Sequence, residues 1–244
     1  MEAIKTAALT KRYRQALAVD RLSLTVFPGE LFSLLGVNGA GKTTTIKMLC
    51  GLTAPTGGNA WLLGDSIVEH PQRAKQKLGL SPQETAVAPN LTVAENLQMM
   101  ARIYGADSAQ AAARTGDILC RLSLQPVQKS RAKTLSGGMQ RRLSIGMALI
   151  SGPQILFLDE PTLGLDVLAR RRLWALIQSL KGSVTVVLTT HYMEEAQTLS
   201  DRIGIMAGGR LTAVGTPDQL MAQTGTTRFE DAFVALAAPE EVAI

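Results

Sequence analysis

LFSLLGVNGAGKTTTIKML, residues 31–49, holds three kinds of local structure in order. Leu31 to Leu35 is an apolar run of strand length, Gly36 to Gly41 is rich in glycine, and after Lys42 the residues Ile46, Leu49 and Cys50 recur at helical spacing. The loop fits G-x-x-x-x-G-K-[ST] through Gly36, Val37, Asn38, Gly39, Ala40, Gly41, Lys42 and Thr43, with Thr44 directly after it. Glycines let backbone N–H groups approach an anion without a Cβ in the way, and a helix opening near Lys42 adds the positive end of its dipole. The stretch therefore reads as a phosphate-binding loop, in which Lys42 neutralises β- and γ-phosphate charge and the Thr43 hydroxyl ligates Mg2+.

The totals bound what surrounds this loop. At 244 residues the chain has room for one large domain or a domain with an inserted subdomain, and we expect one compact unit. Hydrophobic content of 46% with 18% charged residues argues against disorder. No stretch approaches the roughly 18 consecutive apolar residues of a membrane span, and MEAIKTAALTKRY lacks the apolar core of a signal peptide, so a cytoplasmic location is expected. Cys50 and Cys120 sit on apolar helical stretches without C-x-x-C spacing and read as buried thiols. The net charge of +5 comes from scattered residues with short runs at 11–14, 141–142 and 170–172, which read as solvated faces. No nucleic-acid partner is expected.

Along the chain, residues 3–9 and 22–26 read as strands, the second ending at Pro28-Gly29, with Tyr13 between them as either a packing residue or a flat surface for a base. Strands follow at 60–63 and 77–81, the latter leading to Gln83, whose amide can reach a metal or a water. From Leu91 to about Ser151 the pattern is helical: one series from Thr92 to Ile103, one from Ser108 to Leu124, and one beginning at Ser136. ILFLDE, residues 155–160, reads as a buried parallel strand delivering Asp159 and Glu160 to its C-terminal edge, where ligands bind. SVTVVLTT at 183–190 repeats the form and ends on His191. Strands at 202–206 and 211–214 and two short helices, after Thr216-Pro217 and over 229–236, close the chain.

LSGGMQ, residues 135–140, supplies a second anion site: Ser136 is a good N-cap, and Gly137 and Gly138 open a helix whose N–H groups point outward. One triphosphate does not need two such sites in one domain. With the phosphate loop and the Leu-Asp-Glu strand, in this order, residues 3 to about 222 resemble the nucleotide-binding domain of ATP-binding cassette (ABC) proteins. The resemblance implies an α/β P-loop NTPase fold with a RecA-like core at 1–90 and 152–222, an N-terminal antiparallel β subdomain, a helical subdomain inserted at 91–151 and a helical tail at 223–244. It also implies ATP and Mg2+ as ligands and ATP hydrolysis as the activity. On matched positions Tyr13 corresponds to the adenine-stacking aromatic and Gln83 to the glutamine that senses Mg2+ and the attacking water. Asp159 corresponds to the Mg2+-holding acid, Glu160 to the general base, Asp166 to the acidic residue linking two sites, and His191 to the γ-phosphate contact. Ser136 and Gly138 reach the nucleotide of the opposite subunit in this family. Val37 and Val167 stand where the family often has proline.

The same resemblance implies partners. Residues 135–145, 189–201 and 229–236 are similar to the ATPases of ABC-2-type exporters, which handle drugs, polysaccharides and lipids. A homodimer on the cytoplasmic face of the cell membrane, energising a multi-span permease that is a separate chain, is the expectation. An importer ATPase, or a soluble ABC ATPase working on ribosomes, DNA or cofactor assembly, carries the same motifs; the latter usually adds a second cassette or a coiled-coil insertion.

Overall fold

The computed structural model describes residues 2–237, so the end of the expected helical tail, 238–244, lies outside the described residues. The first half runs β1 (Ile4–Tyr13), β2 (Ala16–Leu22), β3 (Thr25–Val26), β4 (Leu31–Leu35), α1 (Lys42–Leu49), β5 (Gly57–Leu62), β6 (Asp65–Ser66), α2 (Pro71–Lys75) and β7 (Leu78–Ser81). The helices α3 (Val93–Ile103), α4 (Ser108–Arg121) and α5 (Gly137–Leu149) follow, joined by two single 3-10 turns. The rest alternates as β8 (Ile155–Asp159), α6 (Val167–Leu180), β9 (Thr185–Thr190), α7 (Met193–Leu199), β10 (Arg202–Ala207), β11 (Arg210–Gly215), α8 (Pro217–Thr224) and α9 (Phe229–Ala237).

Two sheets result. One has the order β11-β10-β4-β9-β8-β7, parallel from β10 to β7 with β11 antiparallel at its edge. The strands β4, β8 and β9 are buried along their whole length, which is why none of them alternates apolar with polar residues. The other sheet is antiparallel, β2-β1-β5-β6 with β3 on β1. Alternate strand residues feed different cores. Leu156, Leu158, Val186 and Leu188 pack against the helical insertion, whereas Phe32, Phe157 and Val187 pack through α1 toward Ile4, Val19 and Leu62 of the antiparallel sheet.

Side-chain caps open all three of the helices α3 to α5. Thr92 and Asp107 cap α3 and α4 with reciprocal side-chain bonds to Glu95 and Gln110, and Ser136 caps α5 by accepting from Met139 N at 3.4 Å. The third helix is not wholly part of the insertion: α5 also packs on β7 and β8, and Ser144 shares a hydroxyl hydrogen bond of 2.9 Å with Ser81 of β7.

Four expectations are corrected. Residues 22–26 are not one strand; β1 runs past residue 9 to Tyr13 and turns back as β2, a hairpin with Tyr13 paired with Ala16 that was not expected. The short α2 and β6 were also missed, and α4 ends at Arg121 rather than Leu124. Cys50 is buried, its thiol pushed up chiefly by that burial, but Cys120 is exposed on α4 because it falls on the helix's outer face. Arg141 is not on a solvated face: it is 5% exposed, its guanidinium turned inward to backbone carbonyls.

Among the described residues no helix is long and apolar enough to cross a membrane.

Candidate functional site

The parallel register aligns the chemistry. Leu35 pairs with Thr190, and Asp159 with Thr189, so the phosphate loop, the two acids and His191 leave the same sheet edge from adjacent strands. Ser81 pairs with Leu158 on the far side, and Gln83 departs two residues beyond it. One cleft of about 360 Å3 is lined by Asn38 to Thr44, Gln83, Glu160 and His191, with Ala18 and Leu163 at its walls.

Glycine is required at two points of the loop. A Cβ on Gly36 would stand 2.4 Å from Met206 O, and one on Gly41, which has φ +100°, would stand 2.5 Å from Ala18 O. Gly41 is also the N-cap position of α1, so the first N–H groups of that helix face the cleft with no side chain competing for them. The β10–β11 turn fixes the loop from outside: Gly209 N donates to Ala40 O at 3.2 Å while Gly209 O accepts from Asp20 N of β2 at 2.8 Å.

Lys42 is 5% exposed and donates to Gly36 O at 2.7 Å and Val37 O at 3.1 Å, with its Nζ 3.5 Å from Glu160 Oε1. The other Glu160 oxygen, Oε2, lies 2.5 Å from His191 Nδ1. Glu160 holds a left-handed backbone, φ 48°, which an L residue adopts only when its surroundings impose it. Thr189 does much of that imposing. Its hydroxyl accepts from Glu160 N at 3.0 Å and donates to Asp159 Oδ1 at 2.6 Å, so one side chain orients both acids. Thr43 donates to the same Oδ1 at 3.0 Å.

The remaining expected residues lie elsewhere. Tyr13 is exposed, with Lys11 Nζ 4.9 Å from its ring centroid, and does not line the cleft, although Ala18 of the same hairpin does. Ser136, Gly138 and Asp166 line a separate cleft of about 210 Å3 with Arg142 and Arg172. There Asp166 caps α6 by accepting from Ala169 N at 2.9 Å, and Gly138 lets α5 approach α6, since a Cβ would meet that of Ala169 at 3.0 Å. Gly137 faces Leu165 from the exposed start of α5. Val37 is exposed at the loop's rim.

Sequence reasoning missed Thr189 and Arg141. Arg141, on the helix that starts at Ser136, donates to Pro82 O at 2.6 Å and to Gln83 O, so it joins that helix to the Gln83 loop. The TT preceding His191 was the available signal for Thr189; nothing local marked Arg141.

Comparisons with known proteins agree with this geometry. The family model described as ABC transporter matches residues 19–163. The chain is 42% identical over 219 residues to the Nod factor export ATP-binding protein I of Ralstonia nicotianae (strain ATCC BAA-1114 / GMI1000), covering 89% of this chain and 68% of that protein. It is 44% identical over 217 residues to the phospholipid-transporting ATPase ABCA3 of Homo sapiens, covering 87% of this chain but only 13% of that much longer relative. Among solved structures, one described as the ATP-binding subunit of an ABC transporter matches with a TM-score of 0.85 at 29% identity, covering 96% of this chain and 99% of that one. The ATP-binding cassette MJ0796, a dimer in a post-hydrolysis state bound to ADP and Pi, matches with a TM-score of 0.79 at 25% identity, covering 87% and 98%. A phosphate loop at the sheet edge, two acids beside it and these matches identify the chain as a member of the ABC transporter family, an ATP-binding cassette that hydrolyses ATP.

Proposed function

We propose that this cassette works as a homodimer that energises a separate multi-span permease, as an ABC-2-type exporter ATPase bound to the cytoplasmic face of the cell membrane. One observation carries the dimer: the loop cleft with Lys42 and the cleft with Ser136 and Gly138 are distinct sites on one chain. Each is half of a composite site, and two copies placed head to tail complete two of them. Export is supported by the relative named for Nod factor export and by the similarity of residues 135–145, 189–201 and 229–236 to that exporter group. An apolar groove of about 380 Å3 between core and insertion, including Leu52, Leu78, Leu80, Met100 and Tyr104, is the surface we assign to the permease.

The reaction passes the γ-phosphoryl group of ATP to water, catalysed by positioning and charge stabilisation. Lys42 and the N–H groups at the start of α1 hold the β- and γ-phosphates, and the N-terminus of α5 from the second copy meets them from the other side. Glu160 orients and polarises the attacking water. His191, hydrogen-bonded to Glu160 through Nδ1, presents its other ring nitrogen toward the γ-phosphate. Tyr13 remains our assignment for adenine stacking, supported by the reach of its hairpin into the cleft at Ala18.

Thr43, Asp159 and Gln83 fit Mg2+. They form an all-oxygen donor set in which Thr43 and Asp159 already touch at 3.0 Å. No group of three or more His, Cys, Asp or Glu able to hold a metal occurs among the described residues, in keeping with a cation that takes its other ligands from phosphate and water. When bound, Mg2+ supplies charge neutralisation at the phosphates.

Affinity purification of the tagged chain from detergent-solubilised membranes tests the assignment. A stoichiometric multi-span partner is expected. Recovery with ribosomal, DNA-bound or cofactor-assembly proteins and no membrane partner would overturn the transporter reading, and a periplasmic-binding-protein companion would turn export into import.

A further inference from the structure

Glu195 of α7 is fully buried, and only one of its oxygens is satisfied: Oε1 accepts from the Trp174 indole N–H of α6 at 2.9 Å, while Oε2 has no hydrogen-bond partner. The Thr162 hydroxyl, two residues beyond Glu160, is also buried without a partner. The hydroxyls of Thr162 and Thr190 both lie close enough to Glu195 to act on its ionisation, although neither Glu195 Oε2 nor Thr162 Oγ1 completes a hydrogen bond of normal geometry. Each buried polar atom left in this way costs about 1–3 kcal/mol, so a cluster of them beside a reactive pair calls for an explanation.

The two threonines belong to the two arms of the site. Thr162 sits on the turn that carries Glu160, and Thr190 directly precedes His191. We propose that Glu195 is a positioning residue for hydrolysis, its buried carboxyl tying the Glu160 turn to the His191 strand end and so fixing how those two side chains meet. The inference rests on the roles given above to Glu160 and His191.

Four features support it. Glu160 is in a left-handed conformation that its own backbone does not favour, so contacts must hold it there. Thr189 holds the Glu160 amide from the β9 side, and beyond the turn Thr162 is the residue facing the Glu195 carboxyl. Burial raises the Glu195 pKa, and the negative charge of Glu160 adds to that direction, so the carboxyl keeps its proton where ordinary glutamates lose it. A protonated Oε2 is a hydrogen-bond donor, and the Thr162 hydroxyl facing it is an unused acceptor. Finally, α6 clamps the carboxyl from behind: Trp174 donates to it, and the Arg170 guanidinium lies 5.4 Å from the Trp174 ring centroid.

A glutamine at 195 keeps the shape and places an N–H donor where the acid proton would be, whereas alanine removes the tie. Steady-state ATPase kinetics on purified Glu195→Ala, Glu195→Gln and Glu160→Gln, with ATP affinity measured by nucleotide fluorescence, provide the test. Glu195→Ala should lower kcat by about tenfold while KM and ATP affinity stay within about twofold, and Glu195→Gln should recover most of the loss. If Glu195→Ala does not fold, Thr162→Val decides, because it keeps volume and removes only the hydroxyl; a kcat loss of about threefold or more with unchanged KM is expected. Unchanged kcat in the decisive variant, equal losses in kcat and ATP affinity, or a Gln variant as impaired as Ala overturns the proposal. Loss of turnover in Glu160→Gln alongside such a result confines the failure to Glu195, whereas normal turnover in Glu160→Gln would instead remove the reading of the site on which it rests.

Discussion

At the scale of single residues, the cleft is governed by who holds the acids. Glu160→Gln keeps size but cannot polarise water as a carboxylate does, so kcat should fall by about two to four orders of magnitude with ATP binding retained, as measured by parallel turnover and equilibrium titration. Lys42→Ala removes a charged donor from the phosphates and should weaken ATP affinity itself by about ten- to a hundredfold in the same titration. The two variants therefore separate chemistry from binding. Asp159, Glu160 and Lys42 were legible in the sequence because each belongs to a short contiguous motif. Thr189 was not, since its partners Asp159 and Glu160 lie 30 and 29 residues away and only strand pairing brings them together. Glu195 carries a pH consequence too. Its folded pKa is raised above the ordinary 4.5, chiefly by burial, so the unfolded chain releases this proton first as pH rises. The contribution is fully present below pH 4.5 and is lost as pH climbs toward the folded value. Urea unfolding at several pH values should show Glu195→Gln losing less stability than wild type over that rise.

At the scale of elements, the sequence was readable wherever burial is uniform. The strands β4, β8 and β9 are buried from end to end and show no alternation of apolar and polar residues, and the caps at Thr92 and Ser136 announce their helices. The β1–β2 hairpin was not readable, because its register shifts twice between Leu9 and Arg12, and Ala8, Arg14 and Arg21 all take positive φ without being glycine. Such bulges break the alternation by which a strand is recognised. Arg141 was hidden for a different reason: a helix shows its apolar spacing in sequence, but not which long polar side chain turns inward to a loop 58 residues away. Arg141→Met should leave the carbonyls of Pro82 and Gln83 without this donor and destabilise the protein by about 2–4 kcal/mol in urea unfolding. The segment after Gln83 is held by another buried side chain, Asn96, whose Oδ1 accepts from Ala88 N at 2.8 Å and whose Nδ2 donates to Ala88 O at 3.1 Å and Thr92 O at 2.9 Å. A loop so anchored at one end of the apolar groove is suited to pass movement from a permease to Gln83. Charge or size changes at 87–91 should lower transport more than ATPase activity in reconstituted membranes. Proportionate loss of both would count against that coupling route.

At the scale of the whole molecule, one chain holds two glycine-rich helix starts that do not share a cleft: Gly41 opening α1 and Ser136 opening α5. We propose that ATP is hydrolysed between the first of these on one copy and the second on another. Ser136→Arg puts bulk and charge where the opposite copy's nucleotide should dock, while leaving the chain's own phosphate loop intact. Alone it should bind ATP but not hydrolyse it, and Lys42→Ala alone should be defective in binding. The most direct measurement is the ATPase rate of the two variants purified separately and then mixed in equal amounts. A mixed dimer pairs the intact loop of the Ser136→Arg chain with the intact Ser136–Gly138 start of the Lys42→Ala chain, so activity should reappear in the mixture, up to about half the wild-type rate per mixed dimer if its single composite site works independently. Wild-type turnover by Ser136→Arg alone, or no recovery in mixtures where mixed dimers are demonstrated, would contradict it.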